Sequence, residues 1–243
     1  MYKSYSMELA GRTLTVDIDR VAKQANGAAF MHYGDTVVLS TATASDKPRE
    51  GIDFFPLSVE YEEKQYAVGK IPGGFNKREG KASEHAILTS RVIDRPMRPL
   101  FPKDYRNDVT ISNMVMSVDP ECNPEIPAML GSSIATCISD IPFDGPCAAT
   151  QVGLIDGEFI INPSLGQKEV SDLQLTVAST REKVIMIEAG ANEVPEEKMI
   201  EAIFKAHEVN QEIIQFIDKI VAECGKEKHT YESCAVPEEL FAA

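Results

Sequence analysis

The sequence lacks any long apolar run, and it has few cysteines and fewer basic than acidic residues. No stretch approaches the roughly 18 apolar residues of a membrane-spanning helix. The first residues, MYKSYSMELAGR, lack the apolar core of a signal peptide. These absences predict a cytoplasmic protein without a membrane partner. The composition, 43% hydrophobic and 26% charged, excludes a disordered or fibrous chain, and 243 residues predict one large domain or two small ones.

The cysteines are five in number, widely spread and without a Cys-x-x-Cys pair. An odd, scattered set favours buried free thiols over a disulfide framework or a zinc site. Cys224, His229 and Cys234 come nearest to a metal cluster, but their spacing is looser than structural zinc sites use. The sequence therefore predicts no metal site in this chain.

Basic residues are scarce overall but concentrated in one window. The chain has 24 Lys and Arg against 38 Asp and Glu, a formal charge of −14, which on average disfavours a polyanion as partner. The window 64–106, however, holds ten basic and four acidic residues and carries +6, so the remainder carries −20. This asymmetry is typical of a polyanion site on an otherwise acidic protein.

Apolar periodicity predicts strands followed by helices, twice along the chain. In the first half, alternation predicts strands at 14–18, 28–32, 36–44, 57–61 and 109–118. A glycine-rich segment, 69–84, is predicted to be a long exposed loop. A helix should follow from a cap at Ser83 to about Asp94, because Pro96 disfavours a helical residue before it. A second helix, rich in small residues, is predicted over 128–139, packed closely against a sheet.

Near residue 143 the pattern restarts. A hairpin is predicted around Asp156-Gly157, followed by strands at 173–177 and 184–187. An apolar stripe then predicts a helix of roughly 28 residues, about 40 Å long, from Pro195 as its first residue to a stop at Gly225. The last residues should open another helix at Pro237, so we expect the chain to be cut within a further domain. The fold class expected from this pattern is α+β.

The glycine-rich segment carries one aromatic ring among cations, namely Phe75, Lys77, Arg78 and Lys81. An aromatic face can stack a base while cations hold phosphates, so these residues are candidate RNA contacts. The alternative is an ordinary solvated loop.

Arg91, Arg95 and Arg98 follow at positions i, i+4 and i+7. Arg91 is expected in the last helical turn and the other two on an exit stiffened by proline. Guanidinium groups grip phosphates with two parallel hydrogen bonds, so these arginines are also candidate RNA contacts. The alternative is compensation of the helix dipole with ion pairs to Asp94 or Glu84. Loop and arginines together favour a nucleic acid as partner, and the resemblance described next implies that it is single-stranded RNA.

The run IPGGFNKREGKASEHAILTSRVIDRPMRPLF, with DFFPLSVEYEEK before it and SDIPFDGP after it, resembles the first core of the polynucleotide phosphorylase family, within the RNase PH superfamily. The resemblance implies an α+β RNase PH-like core with the ribosomal protein S5 domain 2-like fold, a second smaller βα subdomain and a long C-terminal helix. It implies a first RNase PH-like domain at 1–142, a second at 143–225, and the start of an all-helical domain at 226–243.

The same resemblance implies a function for the full-length protein. The family are nucleotidyltransferases that degrade mRNA from the 3′ end by phosphorolysis, with Mg²⁺ and inorganic phosphate, as homotrimeric rings that release nucleoside diphosphates. The glycine-rich segment matches the neck of their central channel, where some members have two aromatics and two arginines. Here those positions read Phe75, Asn76, Lys77 and Arg78, which implies a looser and more electrostatic clamp. Arg91, Arg95 and Arg98 match the family's basic run along the RNA path.

The family's catalytic residues are absent from the matching positions. Where the active second core has Asp-x5-Asp-x-Lys to hold the metal, this chain has Lys168, Gln174 and Thr176. Where it has a phosphate-binding Gly-Ser-Ser-Ser turn, this chain reads Cys-Asn-Pro-Glu, ending at Glu125. Pro124 has no N–H to donate, and Glu125 places a negative charge where an anion would dock. We therefore expect no catalytic residue in this chain, with Mg²⁺ bound by the second core.

Two alternatives stay open at this point. The chain could be a standalone RNA-binding or scaffold protein of the same fold without enzyme activity. It could also be a single-core phosphorolytic enzyme, an alternative that Glu125, Gln174 and Thr176 disfavour.

Overall fold

In the computed structural model, which describes residues 2–75 and 80–235, the first half of the chain forms a six-stranded sheet. Its strands are β1 (Lys3–Leu9), β2 (Arg12–Ile18), β3 (Gly27–Tyr33), β4 (Thr36–Ala44), β5 (Leu57–Glu63) and β6 (Val109–Ser117). Their order is β1-β2-β3-β4-β6-β5. Neighbours are antiparallel except for β5 and β6, which run parallel.

Alternation of buried and half-buried residues explains these strands. In β3 and β4 every second side chain is buried, and the two strands meet in the predicted hairpin, where Gly34 has a positive φ of 58°. The predicted strands of the first half are confirmed. The edge strand β1 was not predicted, because most of its residues face solvent and its apolar positions are few.

The second half forms a four-stranded antiparallel sheet. It contains β7 (Ala148–Ile155), β8 (Glu158–Ile161), β9 (Leu173–Ser179) and β10 (Val184–Ala191), in the order β10-β9-β7-β8. The predicted hairpin joins β7 to β8, and Asp156 and Gly157 both have positive φ, 50° and 83°, as a type I′ turn requires.

Helix α2 (Glu125–Ile138) lies between the two sheets. Every residue from Ile126 to Ile138 is buried, and the helix packs on β3 and β4 at one side and on β7 at the other. Small residues allow this close approach. A Cβ added at Gly131 would lie 2.8 Å from the Met31 side chain, and one added at Gly27 would overlap the backbone of Ala135. The predicted small-residue helix is thus confirmed, with its start three residues earlier.

Helix α1 (Glu84–Met97) begins after Ser83, whose hydroxyl accepts a hydrogen bond from the Ala86 N–H at 3.1 Å, as predicted. Its predicted end at about Asp94 is wrong, because the helix continues through Pro96. Proline near the end of a helix removes a single backbone hydrogen bond, and burial of Pro96 and Met97 in the core offsets that loss. The preference against a helical residue before proline is a bias that packing overcomes here.

The long helix α4 (Glu196–Cys224) has 29 residues, close to the predicted length, and Pro195 is its N-cap rather than its first residue. It packs on β7 and β9. The buried stripe includes Ala202, Ala206 and a fully buried Asn210, whose amide donates to the Val177 carbonyl. A short helix, α3 (Leu165–Val170), was not predicted, although Ser164 and Gln167 form a capping box.

Residues 225–235 contain no helix and cross the first half of the chain. The Lys228 ammonium donates to the carbonyls of Thr136, Cys137 and Ser139 at the end of α2, at 3.2, 2.8 and 2.6 Å. The helix expected from Pro237 lies outside the described residues. Three cysteines, Cys122, Cys137 and Cys147, are buried free thiols as predicted, whereas Cys224 is half-buried and Cys234 exposed. Within 2–75 and 80–235, no helix has the length and apolarity needed to cross a membrane.

Candidate nucleic-acid interface and adjoining cleft

The three predicted arginines share one face of α1. Because the helix runs through Pro96, Arg91 lies in its middle rather than in the last turn, Arg95 is still helical, and Arg98 is the C-cap residue. Positions i, i+4 and i+7 of one continuous helix point the same way, and all three side chains are exposed. The three arginines therefore lie on one continuous helix, and not partly on a proline-stiffened segment after the helix as predicted.

Their bonding partners differ. Arg98 pairs with Asp94 at 2.8 Å and also donates to the carbonyls of Phe55 and Leu57, so it fastens the end of α1 to the residues that open β5. Arg95 lies 3.4 Å from Glu188 on β10. Arg91 has no ion-pair partner in the part of the chain that the structure describes. The predicted alternative, an ion pair with Asp94, thus describes Arg98 and not Arg91.

The glycine-rich segment beside α1 is exposed where it is described. Phe75 is 83% exposed and Ile71 92%, values that are high for large apolar side chains. Lys81 is exposed and, among described residues, has no ion-pair partner. Lys77 and Arg78 lie outside the described residues, so the predicted contacts at those positions stay predictions. The described part of this segment thus leaves one aromatic ring, Phe75, and one cation, Lys81, exposed to solvent in the stretch that precedes α1.

A cleft of about 1070 Å³ opens between α1, the end of β5, the start of α2 and the second sheet. Four residues at positions that the resemblance matches to catalytic ones all line it, namely Glu125, Lys168, Gln174 and Thr176. The sequence placed these four in two separate halves of a lost site. The fold brings both halves into one cavity, whose walls also include His85, Leu88 and Val92 of α1.

Glu125 is the centre of the cleft's polar network. Its carboxylate accepts hydrogen bonds from Gln151 at 2.7 Å and Asn123 at 2.9 Å, contacts the His85 Nε2 at 3.0 Å, and lies 3.8 Å from the Lys168 ammonium. Burial acts to raise the pKa of this carboxyl, but the bonds to His85 and Gln151 and the charge of Lys168 outweigh it and lower the pKa to about 2. Glu125 is therefore ionised at any pH near neutrality.

The start of α2 is closed to an outside anion by its own residues. Pro124 is the N-cap and has no N–H, and the Glu125 N–H donates to the Asn123 side chain at 3.0 Å. The Glu125 carboxylate then supplies the negative charge that a helix N-terminus favours. An anion in this position would meet that carboxylate, so the phosphate-binding function of such a turn is not available here.

The donor set also does not fit the divalent metal that the family implies. A divalent cation prefers carboxylate and other oxygen ligands, whereas the matching positions supply the Lys168 ammonium and two neutral side chains. Within 2–75 and 80–235, no three His, Cys, Asp or Glu residues are grouped so that they could hold a metal ion. Burial lowers the pKa of Lys168, and the charge of Glu125 acts the other way.

His85 was missed by sequence reasoning. It is the second residue of α1, and its two ring nitrogens contact two carboxylates: Nδ1 lies 3.1 Å from Glu63 at the end of β5 and Nε2 lies 3.0 Å from Glu125. The hydrogen bond to Glu125 is the largest of the effects that raise the pKa of His85. No local pattern in the sequence indicates this role, because Glu63 and Glu125 lie 22 and 40 residues away along the chain.

Two family models match the chain. The 3′ exoribonuclease family, domain 1, matches residues 10–142, and domain 2 of the same family matches residues 145–209. Among solved structures, that of rice (Oryza sativa) Rrp46 is similar with a TM-score of 0.67 at 16% sequence identity, covering 86% of this chain and 94% of that one. This likeness confirms the expected RNase PH-like α+β fold.

Curated relatives are similar over almost the whole chain. A polyribonucleotide nucleotidyltransferase of Lachnoclostridium phytofermentans is 84% identical over 243 residues, which are 100% of this chain and 35% of the relative. Those of Ruminiclostridium cellulolyticum and Clostridioides difficile are 62% and 55% identical, over 99% and 98% of this chain and 34% of each relative. The chain thus spans about a third of the length of the curated relatives it matches. On the match of its first 3′ exoribonuclease domain across more than half of its residues, the chain belongs to the 3′ exoribonuclease (RNase PH) family.

Proposed function

We propose that this chain is the non-catalytic, RNA-guiding core of a phosphorolytic 3′-to-5′ exoribonuclease, a polyribonucleotide nucleotidyltransferase. In that protein a second core supplies the catalytic residues, binds Mg²⁺ and uses inorganic phosphate, and the whole forms a homotrimeric ring in the cytoplasm. The proposal divides the present chain into RNase PH-like units at 1–142 and 143–225, with the start of an all-helical domain at 226–243.

One observation carries this proposal, namely a difference between the candidate RNA-binding surface and the cleft. The two differ in whether their charged side chains are paired with other charged side chains of the protein. On the surface, Phe75 is exposed and Arg91 has no ion-pair partner among the described residues. In the cleft, Glu125 occupies the anion position and Lys168 replaces a metal-binding carboxylate. A core with such a surface and such a cleft can hold an RNA strand without cleaving it.

We rank the predicted RNA contacts by the protein partners that each side chain has. We propose Arg91, Lys81 and Phe75 as direct contacts with the strand. Lys77 and Arg78 are proposed as contacts on the sequence alone. Arg95 can bind RNA by exchanging its long contact with Glu188 for a phosphate. Arg98 has several protein partners, so its contribution to RNA binding should be the smallest of the set.

The proposal is tested by measuring how tightly the chain binds a labelled oligoadenylate at several salt concentrations, using fluorescence anisotropy. Each phosphate contact to single-stranded RNA contributes about 0.7 to the slope of log affinity against log salt. The double variant Lys81→Ala, Arg91→Ala removes two such contacts, so it should bind more weakly and with a slope shallower by about 1.4.

A charge-matched control is the double variant Lys23→Ala, Lys183→Ala, which removes two exposed cations from other elements. This control should retain the affinity and the salt slope of the unaltered chain. Equal losses in both double variants would show that net charge, rather than the surface around α1, determines binding, and the proposal would then be wrong.

A further inference from the structure

We propose that His85 is a positioning residue: as an imidazolium bridging Glu63 and Glu125, it fixes the first turn of α1 and makes the RNA affinity of the adjoining surface depend on pH. The part of this inference that concerns RNA rests on the proposed function. The bridge itself rests on geometry alone and is tested separately.

Both ring nitrogens of His85 face a carboxylate oxygen within hydrogen-bond distance, at 3.1 and 3.0 Å. A neutral imidazole has one N–H donor and one acceptor nitrogen, so it can satisfy one of these two carboxylates only. The imidazolium has two N–H donors and satisfies both. The arrangement is therefore complete only when His85 is protonated.

The bridge made by His85 lies where three elements of the fold meet. Glu63 ends β5, Glu125 begins α2, and His85 lies in the first turn of α1, so the bridge joins three elements at one point. Just before this turn comes the glycine-rich segment, where a Cβ added at Gly74 or Gly80 would meet nothing within 4 Å. Lys81 and Ser83, the described residues just before the turn, are exposed, so the Ser83 cap and the His85 bridge are the contacts that fix where α1 begins.

The helix dipole makes the bridge sensitive to its carboxylates. A cation in the first helical turn is disfavoured by the positive end of the dipole, so His85 stays charged only because Glu63 and Glu125 lie beside it. When His85 loses its proton, one hydrogen bond of the bridge is lost and the turn is held by the Ser83 cap and the remaining bond. The surface that carries Lys81 and Phe75 should then be less ordered.

Few other groups near the bridge can change charge near neutral pH. From β5, Tyr61 has a pKa raised well above its ordinary value, chiefly by burial, and stays neutral. From α2, Glu125 stays ionised, with a pKa of about 2. From α3, Lys168 lies 3.8 Å from Glu125, and Lys64, next to Glu63, pairs with Glu62 at 2.6 Å. Loss of a proton from His85 is thus the titration to follow between pH 6 and 8.5.

The bridge is tested by following the ring C–H signals of the histidines by NMR while the pH is raised. The chain has four histidines, and the signal absent from His85→Gln identifies the one of interest. We expect His85 to titrate above its ordinary pKa of 6.5, and the variants Glu63→Gln and Glu125→Gln each to lower that value. Titration at or below the ordinary value, or no response to either variant, would overturn the bridge.

The positioning role is tested by RNA affinity and by amide hydrogen exchange in residues 86–90, at several pH values. From pH 6 to 8.5 the unaltered chain should lose affinity threefold to tenfold and lose protection in these amides. His85→Gln should be weak and nearly flat with pH, and His85→Lys, which stays charged, should retain affinity at pH 8.5. Identical pH profiles for all three proteins would overturn the positioning role. Absence of RNA binding in every protein would instead contradict the proposed function and leave the NMR result to decide the bridge.

Discussion

On the outer face of α1 the Arg91 guanidinium has no ion-pair partner among the described residues, whereas in the cleft the Lys168 ammonium lies 3.8 Å from a carboxylate. Both are cations in a chain of net charge −14, and both come from positions that the resemblance associates with RNA handling or catalysis. The difference is whether the fold supplies an acidic neighbour. A cation without such a neighbour can bind phosphate directly, whereas a cation beside a carboxylate must first give up that ion pair.

The same distinction appears within α1 itself. Arg98 is fixed by Asp94 and two backbone carbonyls, whereas Arg91, two turns earlier on the same face, has no ion-pair partner within 2–75 and 80–235. Sequence spacing treated these arginines as equivalent. Arg98 therefore anchors the end of the helix, and Arg91 is the arginine of this row that we propose as a direct RNA contact.

Removing the carboxylate at the centre of the cleft should have the largest effect. Glu125→Ala leaves the Lys168 ammonium, only a fifth exposed, without its counter-charge, and it breaks hydrogen bonds to three side chains. We expect the free energy of unfolding to fall by about 3 kcal/mol, measured by urea denaturation.

The control for this substitution is Glu121→Ala, which removes an exposed carboxylate 3.7 Å from Arg12. An exposed ion pair contributes little, so the loss there should stay below about 1 kcal/mol. The variant Lys168→Ala and the double variant Glu125→Ala, Lys168→Ala complete a double-mutant cycle with Glu125→Ala. Additive losses would contradict the view that the two charges act on each other.

Acid should weaken the cleft in a way that follows Glu125. Its pKa falls from an ordinary 4.5 to about 2 in the folded chain, so its stabilisation is fully present above pH 4.5 and is lost as pH falls towards 2. His85 has the opposite sign, because its raised pKa gives stability below pH 6.5 that is lost as pH rises through the raised value.

The stability difference between the unaltered chain and Glu125→Gln should therefore be constant between pH 5 and 6. Towards pH 2 it should shrink by roughly 2 kcal/mol, measured as urea midpoints across pH. A difference that does not change over this range would show that Glu125 has an ordinary pKa in the folded protein.

The smallest expected effects are those of replacing Arg98 and Arg91, and these two variants should differ in which property they change. Arg98→Ala removes hydrogen bonds to Asp94 and to two backbone carbonyls, and should lower the free energy of unfolding by about 1 kcal/mol with little change in RNA affinity. Arg91→Ala should leave stability unchanged and weaken RNA binding about threefold. Equal effects of both variants on both quantities would remove the distinction between the two arginines.

Local patterns predicted most of the fold. Alternating apolar residues defined the strands, and the small residues around Gly131 indicated a helix packed closely on a sheet. The errors came where tertiary packing decides. The end of α1 lies beyond Pro96 because Pro96 and Met97 are buried, and β1 was missed because an edge strand needs few apolar side chains.

The site was predictable only where a motif defined it. Glu125, Lys168, Gln174 and Thr176 were identified by comparing positions with a catalytic pattern, and the structure places all four in one cleft. His85 was not identified, because its two partners lie 22 and 40 residues away in the sequence. Such contacts depend on how β5, α1 and α2 meet, and no local pattern encodes that.

The central claim, that this core holds RNA and does not cleave it, is tested most directly by one assay on the 243-residue chain. Labelled oligoadenylate is incubated with the chain, inorganic phosphate and Mg²⁺, and both the bound fraction and the release of adenosine diphosphate are measured. The account predicts binding that weakens with salt and no release of the diphosphate. Release of adenosine diphosphate by the purified chain would contradict it.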